Sequence, residues 1–225
     1  MNASIAHACA LPLPIRLLRT LTAPFGTLPA CAALVSLALA ACGTVPLAPP
    51  PADPPIFPRI DARVGVVYAS AARIPVLVNP IMRIEVGKAS VARFEQVFAS
   101  MFTQAIELPD WPPWREGITG LDGVIVLEHT DAELLLADSA NRDHDYVRIA
   151  YRVCLYAPDG IEIKCWTPSA QQRHTRRFTE SLKDCIIQEV DITLREAIAR
   201  FMLEAEHDPA LKAWSAGISR QRISP

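Results

Sequence analysis

The chain has 225 residues, 22 basic and 24 acidic, for a formal net charge of -2, and 51% of it is hydrophobic. So even a charge balance gives no electrostatic reason to expect nucleic acid or another polyanion as a partner. Once an N-terminal signal and linker are set aside, about 165 residues remain, which suits one domain with a real core.

Arg16 and Arg19 precede an apolar run from Ala30 to Ala41. A mature bilayer-crossing helix needs roughly 20 apolar residues, so the run reads as the hydrophobic region of a signal peptide. It ends in Leu39-Ala40-Ala41-Cys42, which resembles the bacterial lipobox, where leucine and two small residues precede a cysteine that receives diacylglycerol. The competing reading is an ordinary signal peptide with a chance cysteine, or a start codon placed too early, because Pro12, Pro14, Pro24 and Pro29 lie in the leading stretch. The lipobox resemblance implies cleavage before Cys42 and a lipidated N-terminus. Because Gly43 and not aspartate follows, it also implies the outer membrane, with the domain facing the periplasm. Acyl chains add about 0.8 kcal/mol per buried methylene, so a triacylated cysteine anchors firmly. The expected organisation is a signal over 1–41, lipidated Cys42 with a proline-rich tether over 42–59, one domain over 60–218 and a tail over 219–225. From Val45 to Pro58 the prolines favour an extended spacer of about 3 Å per residue.

Alternation from Ile60 to Tyr68 predicts a half-buried strand. After a loop holding Pro75 and Pro80, a second short strand is expected around Ile81, Ile84 and Val86. Ser90 offers a helix N-cap. Val91, Phe94, Phe98, Met101, Phe102 and Ala105 then follow at helical spacing, predicting a helix that stops before Pro109. Residues 109–123 are loop by composition. Trp111 and Trp114 within it serve either as an aromatic contact for a partner or as a lid on the core.

A strand is predicted over Gly123–Glu128, continuing through a bend to Ala137, and another over Tyr146–Tyr156 with Val147, Ile149, Tyr151, Val153 and Leu155 on one face. The stretch Ala157-Pro158-Asp159-Gly160-Ile161 has the residues of a three-residue hairpin loop, with Gly160 in the left-handed position and Ala157 paired with Ile161. Continued regularly, that register places Cys154 and Cys165 on opposite faces, so they are not expected to bond to each other. Cys185 is left to pair with either or with neither, since Cys9 and Cys31 leave with the signal and Cys42 carries lipid. Residues 170–177 read as a basic connector. In it Arg173, Arg176 and Arg177 either meet lipid phosphates or an acidic partner, or are simply solvated. A last long helix runs from about Phe178 or Leu182 to Glu206, with Ile187, Val190, Leu194, Ile198 and Phe201 along one stripe. Asp208-Pro209 caps a short amphipathic turn bearing Leu211 and Trp214.

No GxSxG, HExxH, GxGxxG or GxxxxGK[ST] pattern occurs. The best cluster of chemical groups is Glu128-His129-Thr130-Asp131 with Asp143-His144-Asp145, which a hairpin could bring together as metal ligands or a general base. Solvated turn residues are the expected reading, so no catalytic residue, metal or cofactor is assigned.

The order of Arg63-Val-Gly-Val-Val67, Gly87-Lys-Ala-Ser-Val-Ala-Arg-Phe94, Tyr151-Arg-Val-Cys-Leu-Tyr-Ala-Pro-Asp-Gly160, Trp166 and the alanine-bearing last helix resembles small bacterial lipoproteins of the YajG and ABC-transport-auxiliary kind. The resemblance covers most of residues 60–215. It implies an α+β domain with helices on one face of an antiparallel sheet, here about four strands and two main helices, and it transfers no active site. The expectation is a non-catalytic envelope protein, held to the membrane through Cys42 and docking an envelope partner. The alternative is an auxiliary of lipid or solute transport that binds an apolar ligand.

Overall fold

Strand β1 (Gly43–Val45) opens the part of the chain that the computed structural model describes, which comprises residues 43–47, 57–79, 82–109, 120–137, 144–175 and 181–223. Every described residue belongs to one compact unit within Cys42–Pro225. There follow β2 (Ile60–Tyr68), a 3-10 turn (Ser70–Arg73), β3 (Val76–Asn79), β4 (Met82–Ile84) and helix α1 (Val86–Met101). After α1 come β5 (Phe102–Glu107), β6 (Gly123–Leu135), β7 (Asp145–Tyr156), β8 (Glu162–Trp166), β9 (Ser169–His174), α2 (Leu182–His207) and α3 (Pro209–Ile223).

The domain is α+β, but the sheet is mixed and larger than expected. Its order is β5-β2-β6-β7-β8, with β9 also paired to β7, and β2 runs parallel to both β5 and β6. Three helices replace the expected two, and β1, β4 and β3 form a separate three-stranded sheet. Parallel neighbours cannot be joined by a tight turn and need a crossover; α1 supplies the one between β2 and β5. No local signal announces β5, because the helical spacing of Met101, Phe102 and Ala105 runs on with no stop until Pro109. Hydrogen bonding to β2 ends the helix at Met101 and makes the next six residues a strand.

Two further expectations change for tertiary reasons. Ser90 is not an N-cap: α1 begins four residues earlier, and the fully buried Ser90 hydroxyl bonds the Val86 carbonyl at 2.8 Å and the Tyr151 hydroxyl at 2.9 Å. Residues 169–174 of the supposed basic connector are β9, paired to β7 from Asp145↔His174 to Ala150↔Ser169.

The alternation on β7 holds as read. Val147, Ile149, Tyr151, Val153 and Leu155 are all buried and face the three helices, as do Val64 and Val66 on β2 and Ile125 and Leu127 on β6. At the centre, Phe201 of α2 meets Phe94 and Phe98 of α1 and Trp166 of β8, with ring centroids 5.5, 6.1 and 5.7 Å apart and steeply inclined planes, the geometry aromatic quadrupoles favour. The helices are also tied by a charged contact, the buried Arg93 of α1 bonding Asp191 of α2, which Arg195 bonds as well. Burial pulls the Arg93 pKa down even though Asp191 pulls it up. On the opposite face of the sheet Val67, Val124 and Val126 form a smaller cluster with Leu108 and Tyr156.

Candidate functional site

Of the residues singled out from sequence, Leu39, Ala40, Ala41, Cys42, Trp111, Trp114, Arg176 and Arg177 lie outside the described residues. Arg173 is described: it sits exposed on β9 opposite Tyr146 of β7. The two histidine clusters do lie on one hairpin, yet its register keeps them apart. His129 opposes Arg152, whereas His144 stands just before the other end of β7. Eight residues of strand at about 3.3 Å each separate them by roughly 26 Å. Their side chains are committed elsewhere too, since Glu128 and Asp131 hold Arg152 and Arg148 at 2.7 and 3.3 Å.

What the structure assembles instead is a groove of about 250 Å³ beside the start of β2. Phe57, Pro58 and Ile60 form one wall, and Ala205 and Leu211, from the α2–α3 corner, form the other. Glu206, His207, Lys212 and Ser215 make a polar rim. The groove thus has apolar walls and a rim carrying both charge signs. The two walls are distant in sequence, one at the end of a proline-rich stretch and one at a helix terminus, so only the corner's turn chemistry is a local signal.

That corner is fixed by Asp208, as Asp208-Pro209 predicts. Its carboxylate accepts from the backbone N–H of Ala210 at 2.7 Å and Leu211 at 3.2 Å, and lies 3.5 Å from the Lys164 ammonium. Burial alone would raise its pKa, but the two N–H donors and Lys164 outweigh it and hold the group below the ordinary carboxylate range. A depressed folded-state pKa stabilises above the unfolded value, near 3.9, and that stabilisation is lost as pH falls through the folded value. Asp208→Ala should therefore cost about 1 kcal/mol at neutral pH, with the gap to wild type closing in strong acid, whereas Asp208→Asn should keep most of the cap. Urea midpoints at pH 7 and pH 3 measure both. A deficit that does not shrink in acid would show that ionisation plays no part.

The outer face of the β7–β8 hairpin carries a disulfide between Cys154 and Cys165, whose Cα atoms are 4.1 Å apart. This corrects the expectation that the two could not bond. The turn itself forms as predicted: Ala157 N–H donates to the Ile161 carbonyl at 2.8 Å, and Gly160 has φ 87°. But Tyr156 pairs with Glu162 and Leu155 with Lys164, so a bulge absorbs Ile163 and places Cys154 directly opposite Cys165. One inserted residue reverses which face every later side chain takes. Cys185, on α2, stays outside that bridge and lines a small cleft with Asp184 and with His174, whose Nδ1 is 3.4 Å from Glu189.

Neither any protein-family model nor any curated protein matches the chain. Among solved structures it is similar to a Xanthomonas campestris protein of the DUF330 family, at 12% identity and a TM-score of 0.41 over 80% of this chain and 99% of that one. It is similar as well to a minor lipoprotein from Acinetobacter baumannii, at 9% identity and a TM-score of 0.38 over 64% of this chain and 92% of that one. Rare lipoprotein B from Shewanella oneidensis resembles it at 9% identity and a TM-score of 0.35, over 70% of this chain and 98% of that one.

Proposed function

We propose that this is a lipid-anchored, non-catalytic accessory protein of the bacterial envelope, held at the periplasmic face of the outer membrane by acyl chains on Cys42. The observation that carries this reading is the order of Arg16 and Arg19, the apolar run, Leu39-Ala40-Ala41-Cys42, Gly43 and the proline-rich stretch up to Pro58. Among the described residues no helix is long and apolar enough to cross a membrane, so in this reading the lipid is the anchor. Tethering to a surface raises the effective concentration of a partner on the same surface, and Trp111, Trp114, Arg173, Arg176 and Arg177 are the residues proposed to meet it.

Radiolabelled palmitate should enter the wild-type chain and not Cys42→Ala, which should also keep its signal. A Cys42→Ala variant that matures and fractionates unchanged rejects the reading. The groove between Phe57 and Leu211 favours a second reading, an auxiliary of lipid or solute transport in the manner of the ABC-transport-auxiliary proteins. Phospholipid co-purifying with the wild type and lost on Leu211→Glu, seen by mass spectrometry, would support that one.

A further inference from the structure

The bulge that brings Cys154 opposite Cys165 also moves a third group. Two residues of β8 that are three apart, Glu162 and Cys165, would face opposite ways on a regular strand. With Ile163 absorbed by the bulge, Glu162 stands opposite Tyr156 and Cys165 opposite Cys154; these partners are two apart on β7 and share a face. The result is a three-group set, Cys154, Glu162 and Cys165, whose sulfur and carboxylate oxygen atoms all lie within 4.8 Å of one another. Bulges commonly re-aim a side chain in this way beside functional sites.

We propose that this hairpin, once its disulfide is reduced, binds one thiophilic divalent cation of the zinc class through the two thiolates and the Glu162 carboxylate. Zinc–thiolate bonds of about 2.3 Å in a tetrahedral arrangement place two sulfurs roughly 3.8 Å apart, a spacing that side chains on directly opposed residues reach by rotation alone. Three protein ligands leave the fourth position to water, the arrangement of an open site. The surroundings suit a cation: Arg152 lies 3.6 Å from the Cys165 sulfur, but Glu128 takes its charge at 2.7 Å and also accepts from the Tyr156 hydroxyl at 2.6 Å. Arg152, shared between Glu128 and Glu162, is then one cation facing two thiolates and two carboxylates, so the hairpin carries excess negative charge that an ion would offset.

A dithiol reductant opens the site. One of its thiolates attacks the Cys165 sulfur, the partly exposed member of the pair, and the S–S bond breaks with Cys154 leaving as a thiolate. The reductant's second thiol displaces the Cys165 thiolate and leaves as a disulfide, so two electrons pass from the dithiol to the cysteine pair. Metal binding then releases whatever protons the two sulfurs carry. The site is independent of the lipid on Cys42.

The experiment uses the full chain in detergent, carrying Cys185→Ser, reduced with a trialkylphosphine so that no added thiol competes, and titrated with Zn²⁺ against a chromophoric chelator. Reduction should create one Zn²⁺ site per chain that the oxidised protein lacks. Glu162→Gln, an exposed change that leaves the fold alone, should weaken binding at least about tenfold. With Co²⁺ in place of Zn²⁺, a thiolate-to-metal charge-transfer band should appear and be lost in Cys165→Ser. Reduced protein that binds no more Zn²⁺ than oxidised protein, or Glu162→Gln that binds as tightly as the unsubstituted glutamate, overturns the proposal.

Discussion

Replacing Phe201 with alanine should destabilise the domain by about 3–5 kcal/mol. Phe201 is fully buried on α2, and its ring touches Phe94 and Phe98 of α1 and Trp166 of β8. The loss combines two effects: the apolar surface no longer removed from water, and a void that neighbours from a second helix and the sheet cannot close, because each is held by its own element. The aromatic edge-to-face contacts add their share beyond area alone. For a domain of this size the cost corresponds to a fall in Tm of roughly 6–20 °C, readable by circular dichroism. Phe201→Leu, which keeps most of the volume, should lose far less. If alanine costs no more than leucine there, Phe201 is not the point where the helices and sheet meet.

Gly87→Ala should also destabilise, by about 1–3 kcal/mol, although alanine in a helix interior ordinarily gains about 1 kcal/mol over glycine. The reason is main-chain proximity. A Cβ at Gly87 would stand 2.5 Å from the Arg73 carbonyl carbon, 2.7 Å from the Ala72 oxygen and 2.7 Å from the Ile74 nitrogen. All three are backbone atoms of the 3-10 turn and its exit, so no side chain can swing aside, and either α1 or the turn must move. Gly217 of α3 is the control, because nothing lies within 4 Å of its added Cβ; there alanine should stabilise by up to about 1 kcal/mol. Urea denaturation of the two single variants tests the contrast in sign. Equal stabilisation by both would mean that α1 does not rest on the 3-10 turn as described.

Much of the architecture follows from local patterns. Alternation marked β7 and the start of β2, a continuous apolar run marked β6, helical spacing marked α1 and α2, and two pieces of turn chemistry, Gly160 in the hairpin and Asp208 before Pro209, fell where their residue types place them. These signals are legible because each depends on a residue's own conformational preference or on which of its faces meets the core. Legibility failed where a neighbour distant in sequence decided the outcome. Phe102–Glu107 carries a helix-compatible pattern, and only the free edge of β2 makes it a strand. Ser169–His174 is polar throughout except for Ala170, so no burial signal announces it, and only β7 recruits it into the sheet.

The candidate sites divide along the same line. The proposed lipidation of Cys42 rests on a linear feature, since the three residues before it are enough to raise it. The groove does not, since Phe57 and Leu211 are brought together by the fold alone, and neither stretch marks the other in advance. The bulge at Ile163 is the sharpest case. Turn chemistry determined where the hairpin reverses, but a one-residue slip on β8 decided that Cys154 and Cys165 face each other with Glu162 beside them. By itself, then, the amino-acid order determined β2, β6 and β7, the apolar faces of α1 and α2, the hairpin turn at Gly160 and the cap at Asp208, each settled within a few residues. The mixed sheet, the third helix packed as part of the core, the disulfide and the groove were decided by tertiary structure, because register and parallel pairing are agreements between segments that local preference cannot see.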